Sequence, residues 1–225
     1  MGTPFTTRVI LKIKRTVREL DPAEREFAQI FPMVNAVEGF LRDGQEKWLF
    51  KQARALPDGS NLVEIGSYKG RSTTCLGFGC RGTRKRVFAI DTFDGGPNLP
   101  RLDSFRQFSA NIKRCELSEQ VEAIVAASTS VAQTWTRPIH LLFVDGSHNY
   151  EDVLADFDSF FPHVVPDGLV AFHDVNSDWP GVYRAWHEVI KHELADVGDC
   201  QTMCYGRKPR VSRSKSVGRN SRGRA

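Results

Sequence analysis

The chain has 225 residues, 40% of them apolar and 26% charged, which suits one globular domain with a sizeable core. No apolar run approaches the roughly 20 residues of a membrane span, and the first residues lack the continuous apolar stretch of a secretory leader. The net charge of +4 is uneven: residues 1–20 carry five basic side chains and one acid, residues 207–225 carry eight basic and no acidic ones, and residues 21–206 are therefore net acidic.

Residues 8–20 put Val9, Ile10, Ile13, Val17 and Leu20 near one helical face, with Arg8, Lys12, Arg15 and Arg18 largely elsewhere. This predicts a basic amphipathic helix. It could lie on an anionic membrane surface or dock on its own domain or a second copy, giving a homo-oligomer; docking is the plainer reading. Asp21 and Pro22 then predict a short helix, capped by the aspartate and started by the proline. Residues 34–55 predict a further helix, broken near Gly44, with Leu41, Trp48, Leu49 and Ala53 on its apolar side. Residues 56–59 form a turn.

The chain is organised around residues 61–72, N-L-V-E-I-G-S-Y-K-G-R-S. Leu62, Val63 and Ile65 predict a buried strand. Gly66 ends it, Gly70 follows, and residues from Ser72 can be helical. Strand, glycine turn and helix make the first unit of an open α/β sheet, where glycine allows a sharp turn and close approach by a ligand. The spacing G-x-x-x-G, with Tyr68 in the middle, is not the G-x-G-x-x-G of dinucleotide sites. Glu64, two residues before Gly66, suits a ligand with donors or positive charge. The pattern E-x-G-x-Y-x-G-x-S resembles the first motif of class I S-adenosylmethionine methyltransferases, above all the catechol O-methyltransferase type and related small-molecule and sugar O-methyltransferases.

Residues 86–91, R-V-F-A-I-D, predict a second buried strand ending in Asp91, about 25 residues after Gly66. An acid there hydrogen-bonds ribose hydroxyls in doubly wound folds; the alternative is a strand cap. Phe93 could lie against an adenine or belong to the core. Residues 94–100 are a loop, 103–115 a helix with Phe105, Phe108 and Ile112 inward, and 121–125 a third strand. Ser128 follows in an A-S dipeptide similar to the one that holds the adenine edge in the catechol enzymes, which implies an adenine contact; serine is also a common helix cap, and Ser128 is open to both roles. Residues 140–145, H-L-L-F-V-D, predict a fourth strand ending in Asp145. A loop with His148 leads into a helix carrying Val153, Leu154, Phe157 and Phe161 inward. Residues 165–168 are a turn, 169–173 a fifth strand ending in His173, and Asp174 follows. Strand-end polar groups thus converge on one rim, where open α/β sheets bind ligands.

D-G-x-H-x-Y, a helix, a P-x-G turn and a strand ending H-D resemble the sugar and antibiotic O-methyltransferase group. The resemblance covers about residues 38–206. It implies a Rossmann-like class I methyltransferase fold: α/β, with a mostly parallel doubly wound sheet and helices on both faces. It further implies S-adenosylmethionine as cofactor, held by Glu64, Gly66, Ser67, Tyr68, Gly70, Ser72, Asp91, Ser128 and Asp145, with Glu64 on the cofactor's amino group. His148 stands three residues after Asp145, where the catechol enzymes carry a lysine base, and is read as the base, with an exposed or capping residue as the alternative. Asp145 and Asp174 could hold one magnesium ion, with His173 a further candidate ligand. Val175 replaces the asparagine of the catechol pattern, so a sugar or other small-molecule hydroxyl is the preferred acceptor over a chelated diol.

Residues 180–194 predict a helix with Trp186, Val189 and Ile190 inward. His187, Glu188 and His192 do not form a zinc-protease motif, because the histidines are five apart and do not share a helix face. Residues 195–206 have room for one or two strands closing the sheet. From Arg207 the chain is basic with few apolar side chains and reads as a disordered tail. The expected organisation is a helical extension over 1–33, a catalytic domain over 34–206 and a tail over 207–225. The five cysteines form no C-x-x-C pair, and their odd number in a chain without a leader reads as reduced and cytoplasmic. The competing function is nucleic-acid binding or RNA modification through the basic tail, which the acidic centre and the lack of a base-modifying motif disfavour.

Overall fold

The computed structural model describes residues 21–94 and 104–210. The expected helix at 8–20, most of the 94–100 loop and the tail beyond residue 210 lie outside the described residues.

Helix α1 (Pro22–Asn35) starts as expected, with Asp21 accepting the Ala23 amide at 3.0 Å and Pro22 in the first turn. It runs through residue 33, so the expected boundary there falls inside one helix. Phe27, Ile30 and Val34 pack that helix into the core. Helix α2 (Gln45–Ala55) begins only at Gly44, and residues 37–44 are irregular rather than the first half of a broken helix.

The strands are β1 (Asn61–Ile65), β2 (Arg86–Asp91), β3 (Val121–Val125), β4 (Ile139–Val144), β5 (Val164–Phe172), β6 (Ala195–Cys200) and β7 (Met203–Arg207). They form one sheet in the order β3-β2-β1-β4-β5-β7-β6. β1 to β5 pair in parallel, and β6 and β7 close the edge as an antiparallel hairpin. Residues 165–168 are not a turn ahead of β5 but a bulge within it. The pairing with β4 jumps from Val164 to Leu169, and Asp167 sits at φ +68. The exchange of backbone bonds between Asp167, Gly168 and Lys208 holds residues 207–210 to the sheet, so the chain stays structured past the expected start of the tail.

Side chains alternate along each strand and supply two cores. Leu62, Val87, Ala89, Leu141 and Phe143 face α1, α2, α3 (Arg71–Cys80) and α4 (Ser104–Arg114). Val63, Phe88, Ile90, Leu142 and Phe172 face α5 (Ser128–Ala132), α6 (Tyr150–Phe160) and α7 (Pro180–Glu188). The helix expected through residue 194 ends at Glu188 and re-forms as a single 3₁₀ turn, Ile190–Glu193. Phe105, expected inward, is 40% exposed, while Phe108 and Ile112 are buried. The result is a mostly parallel, Rossmann-like sheet with helices on both faces. Its strand order reverses between β1 and β4, which opens a crevice at their carboxyl ends.

The contact of α2 with α3 depends on a glycine. A Cβ on Gly79 would lie 2.6 Å from Ala53 Cβ and 2.7 Å from the Phe50 carbonyl oxygen. Gly79→Val should force these helices apart and lower stability by about 1–3 kcal/mol or more, measured as a lower urea midpoint with an unchanged slope.

Candidate active site

The crevice between β1 and β4 widens into a cleft of about 1010 Å³, lined by strand ends and the loops after them. That is the upper end for small-ligand clefts. Its floor is the Gly66 turn. The Gly66 amide donates to the Ile90 carbonyl of β2 at 2.9 Å, and the Asp145 amide donates to the Ile65 carbonyl at 2.8 Å. A Cβ on Gly66 would stand 2.2 Å from the Asp145 carbonyl oxygen, and φ is +83. Only glycine lets β1 and β4 end side by side here.

Asp91 ties this turn from the end of β2. Its Oδ2 accepts the Ser67 and Tyr68 amides at 2.7 and 2.8 Å, and its Oδ1 accepts the Phe93 amide at 2.7 Å. The consecutive amides that would cradle a phosphate in a dinucleotide site already hold a resident carboxylate. Asp91 lines the cleft, and its Oδ1, which takes a single amide, retains acceptor capacity. Tyr68, Phe93 and Asp174, all on the cleft wall, have φ of +49, +55 and +56. Non-glycine residues held there carry strain, which concentrates at working sites.

Ser67, Tyr68 and Ser72 line the cleft as expected, but Glu64 and Gly70 do not. Glu64 is fully buried and points the other way, towards α3. Its Oε2 accepts from the hydroxyls of Ser67, at 2.8 Å, and Thr73. Burial pushes Glu64 up to about 7, against the pull of the Ser72, Thr73 and Ser67 hydroxyls. It knots the glycine turn to α3 and is out of reach of a ligand. Gly70 starts α3 at φ +91 with Phe108 at 3.0 Å from its would-be Cβ, so it serves the turn and not the ligand.

Beyond the glycine turn, at the ends of β4 and β5, Asp145, His148 and Asp174 line another stretch of the cleft wall. His148 Nε2 lies 3.2 Å from Asp174 Oδ2, and its ring stacks on Trp179 at 3.9 Å between centroids and 17° between planes. His173 is behind them, 3% exposed. Its Nε2 is 3.0 Å from Gln45 Oε1, which also accepts the Arg42 amide at 2.7 Å; Gln45 Nε2 donates to the Cys200 carbonyl at 3.2 Å. The amide orientation of Gln45 is thereby fixed, and His173 Nε2 must carry a hydrogen. Nδ1 is 3.1 Å from Asp145 Oδ1 and 3.3 Å from Asp174 Oδ2, close enough to pair though aligned with neither as a hydrogen bond. A neutral ring would aim a lone pair at two carboxylates. Burial favours that neutral form, but the charges of Asp145 and Asp174 outweigh it and raise His173 to about 10. For Asp174 burial acts upward, yet His148 and His173 together hold it well below the usual carboxylate range.

One ligand atom each from Asp145, His148 and Asp174 lies within 4.8 Å of the others, as around a cation. The set does not fit the expected magnesium ion, which takes oxygen ligands and keeps several waters. One of the three converging groups is an imidazole, Val175 supplies no third oxygen, and the His173 ring behind the two carboxylates is itself drawn towards its positively charged form.

At the far end of the cleft, Ser128 is the first residue of α5, and Ala127 is its cap, so Ser128 does not cap the helix with its side chain. Its hydroxyl donates to Oδ1 of Asp156 on α6. Asp156 is 5% exposed and lines the cleft. The lip facing the strand ends is formed by residues 38–42. Glu38 anchors it to Lys69 Nζ at 2.7 Å, and Arg71 Nη1 donates to the Val37 carbonyl at 3.1 Å. Sequence reasoning missed Gln45, Asp156 and this lip. Asp156 alone left a signal, as a lone acid at helical spacing between Val153 and Phe160.

A glycine turn tied by a strand-end acid thus sits at the switch point of a Rossmann-like sheet, the place where such folds bind ligands. Residues 63–175, just over half of the chain, match the family described as methyltransferase domain, and the chain belongs to that family. A protein of Sinorhizobium fredii (strain NBRC 101917 / NGR234) described as uncharacterized protein y4gI is 29% identical over 143 residues, 57% of this chain but 15% of that one. The chain thus spans a small part of that relative's length. Among solved structures, the Podospora anserina methyltransferase PaMTH1, in its S-adenosylhomocysteine-bound form, superposes with a TM-score of 0.63 at 13% identity, covering 94% of this chain and 100% of that one. CalS11, described as a TDP-rhamnose 3'-O-methyltransferase of calicheamicin biosynthesis, superposes with a TM-score of 0.56 at 18% identity, covering 92% and 96%. Identities this low show a shared fold alone.

The buried Glu64 generates a stability prediction. A carboxyl raised from 4.5 to about 7 on folding contributes stability that is present below pH 4.5 and lost as pH rises through 7. The parent should therefore lose up to about 3 kcal/mol relative to Glu64→Gln between pH 5 and pH 8. Parallel denaturation curves of the two proteins across that range would contradict it.

Proposed function

We propose that the protein transfers a methyl group from S-adenosylmethionine to a hydroxyl of a small molecule, a sugar or natural product, with His148 as the base. The observation that carries this reading is the single cleft that brings Asp91, Asp145 and the His148–Asp174 pair together. Asp91, with acceptor capacity left over, meets the ribose hydroxyls. Ser67 and Ser72 face the methionine end, and Asp145 takes its amino group in place of Glu64. CalS11, described as a TDP-rhamnose 3'-O-methyltransferase, shares this fold, which supports a sugar hydroxyl as the acceptor class.

When bound, the cofactor supplies a sulfonium methyl whose carbon–sulfur bond breaks as the new carbon–oxygen bond forms. The protein's share is orientation and removal of one proton. Asp174 is an ionised acceptor, so His148 Nε2 is its donor and Nδ1 carries the lone pair. Nδ1 takes the hydroxyl proton, and the imidazolium formed is stabilised by Asp174 while Trp179 holds the ring plane. His173 offsets the charge of Asp145 and Asp174, so two carboxylates can stand together without a metal. The cleft is roomy enough for cofactor and acceptor side by side, with the lip of residues 38–42 on its rim.

Calorimetry with S-adenosylhomocysteine should show binding to the parent, and a loss of roughly ten- to hundredfold in Asp91→Ala, the worth of hydrogen bonds to a charged acceptor. Unchanged affinity would remove the ribose assignment. In an acceptor screen, His148→Ala should lower turnover about 10²–10⁴-fold with cofactor affinity retained. Excess chelator should leave parental turnover unaltered; a loss restored by magnesium would show that a cation, and not His173, balances the carboxylates.

A further inference from the structure

The proposed cofactor reading leaves one buried acid without a task. Asp156 is on the inner face of α6, 5% exposed, among Val153, Phe157 and Phe160. Its Oδ1 accepts the Ser128 hydroxyl, and among the described residues no other side chain donates to the carboxylate. Its Oδ2 lies 3.6 Å from the point where a Cβ on Gly146 would stand, at the cleft wall formed by Ala126, Ala127, Ser128 and Gly146. Asp152, one turn earlier, is not in this position: it accepts from Ser147 and Asn149, at 2.7 and 3.2 Å.

A carboxylate buried this far needs more than one hydroxyl donor. Burial, reinforced by Asp152 and opposed by Ser128, pushes Asp156 up to about 6, so it is largely ionised at neutral pH and short of a donor. A ligand in the cleft, which Asp156 lines, can supply one. With the ribose on Asp91 and the methionine end at Ser67, Ser72 and Asp145, the base of an adenosyl ligand extends to the wing of the cleft that holds Ser128 and Asp156. Adenine carries nitrogen acceptors around its rings and a single donor group, the exocyclic 6-amino group.

Building on that cofactor reading, we infer that Asp156, with its carboxylate set by Ser128, reads the 6-amino group of the adenine and makes the site selective for adenosyl over inosyl ligands. An inosyl ligand presents a carbonyl at the same place, and two acceptors then face each other in a buried wall. Ser128 acts as a positioning residue in this account: its hydroxyl holds Oδ1 and leaves Oδ2 for the base.

The test is calorimetry with S-adenosylhomocysteine and S-inosylhomocysteine on the parent, Asp156→Ala and the near-isosteric Asp156→Asn. The parent should bind the adenosyl ligand at least about tenfold more tightly, the worth of one hydrogen bond to a charged group. Asp156→Asn, which can donate to the inosyl carbonyl, should bring the ratio to within about threefold of unity, and Asp156→Ala should also flatten it. Equal weakening of both ligands with the ratio intact would make Asp156 a purely structural support of Ser128 and overturn the inference. A parent that binds neither ligand would overturn the cofactor reading instead, whatever the variants do. If Asp156→Ala fails to fold, as judged by its melting curve, the ratio in Asp156→Asn decides alone.

Discussion

The site depends on one carboxylate accepting two consecutive amides. Asp91, at the end of β2, holds the Ser67 and Tyr68 amides at 2.7 and 2.8 Å and so fixes the path of the chain after β1. Gly66 must then pass within van der Waals reach of the Asp145 backbone, which a side chain would prevent. These two constraints bring the ends of β1, β2 and β4 into register and give the crevice a defined floor. They also determine what kind of ligand it takes. A turn whose amides are already occupied by an anion has no cradle for a pyrophosphate, whereas a strand-end carboxylate with spare lone pairs is suited to hydroxyls. The buried Glu64 strengthens the same turn from below, by tying it to the first turn of α3.

The wall at the ends of β4 and β5 is an electrostatic arrangement of the same kind. Two carboxylates, of Asp145 and Asp174, face the one buried imidazole of His173. That ring carries the compensating charge: Gln45 and its partners fix a hydrogen on Nε2, and the two carboxylates favour a second one on Nδ1. The consequence passes outward: an ionised Asp174 orients His148, and the ring of His148 is set against Trp179. A residue on α2, which takes no part in lining the cleft, thus fixes the hydrogen position of the imidazole behind that wall.

Much of this was legible in the sequence. The buried strands β1, β2 and β4 stood out as short apolar runs, and Asp91, Asp145 and His173 as polar groups at the ends of such runs. The direction of Glu64 was also available and was not used: strict alternation puts Leu62 and Glu64 on one face of β1 and Val63 and Ile65 on the other, so Glu64 had to face the helices α1 to α4. The bulge at residues 165–168 was misread as a turn because P-D-G has turn chemistry, and only pairing with β4 shows that the strand continues through it. Gln45 could not be found from local pattern. Apart from the Arg42 amide, its partners are His173, Cys200 and Thr202, more than a hundred residues away, and its own surroundings in sequence are those of an ordinary helix start. The break between α1 and α2 was placed too late for a similar reason: the 37–44 segment is held by Lys69 and Arg71, which belong to the glycine turn and α3.

The central claim is that a single cleft seats an adenosyl cofactor along Asp91 with its sulfur turned towards the wall of Asp145 and His148. The crystal structure of the protein with S-adenosylhomocysteine measures this most directly. The account predicts both ribose hydroxyls within hydrogen-bond distance of Asp91, the amino group on Asp145, and the sulfur facing open space in front of His148. A ligand seated with its amino-acid end against Ser128 and Asp156, or with its ribose away from Asp91, would contradict it.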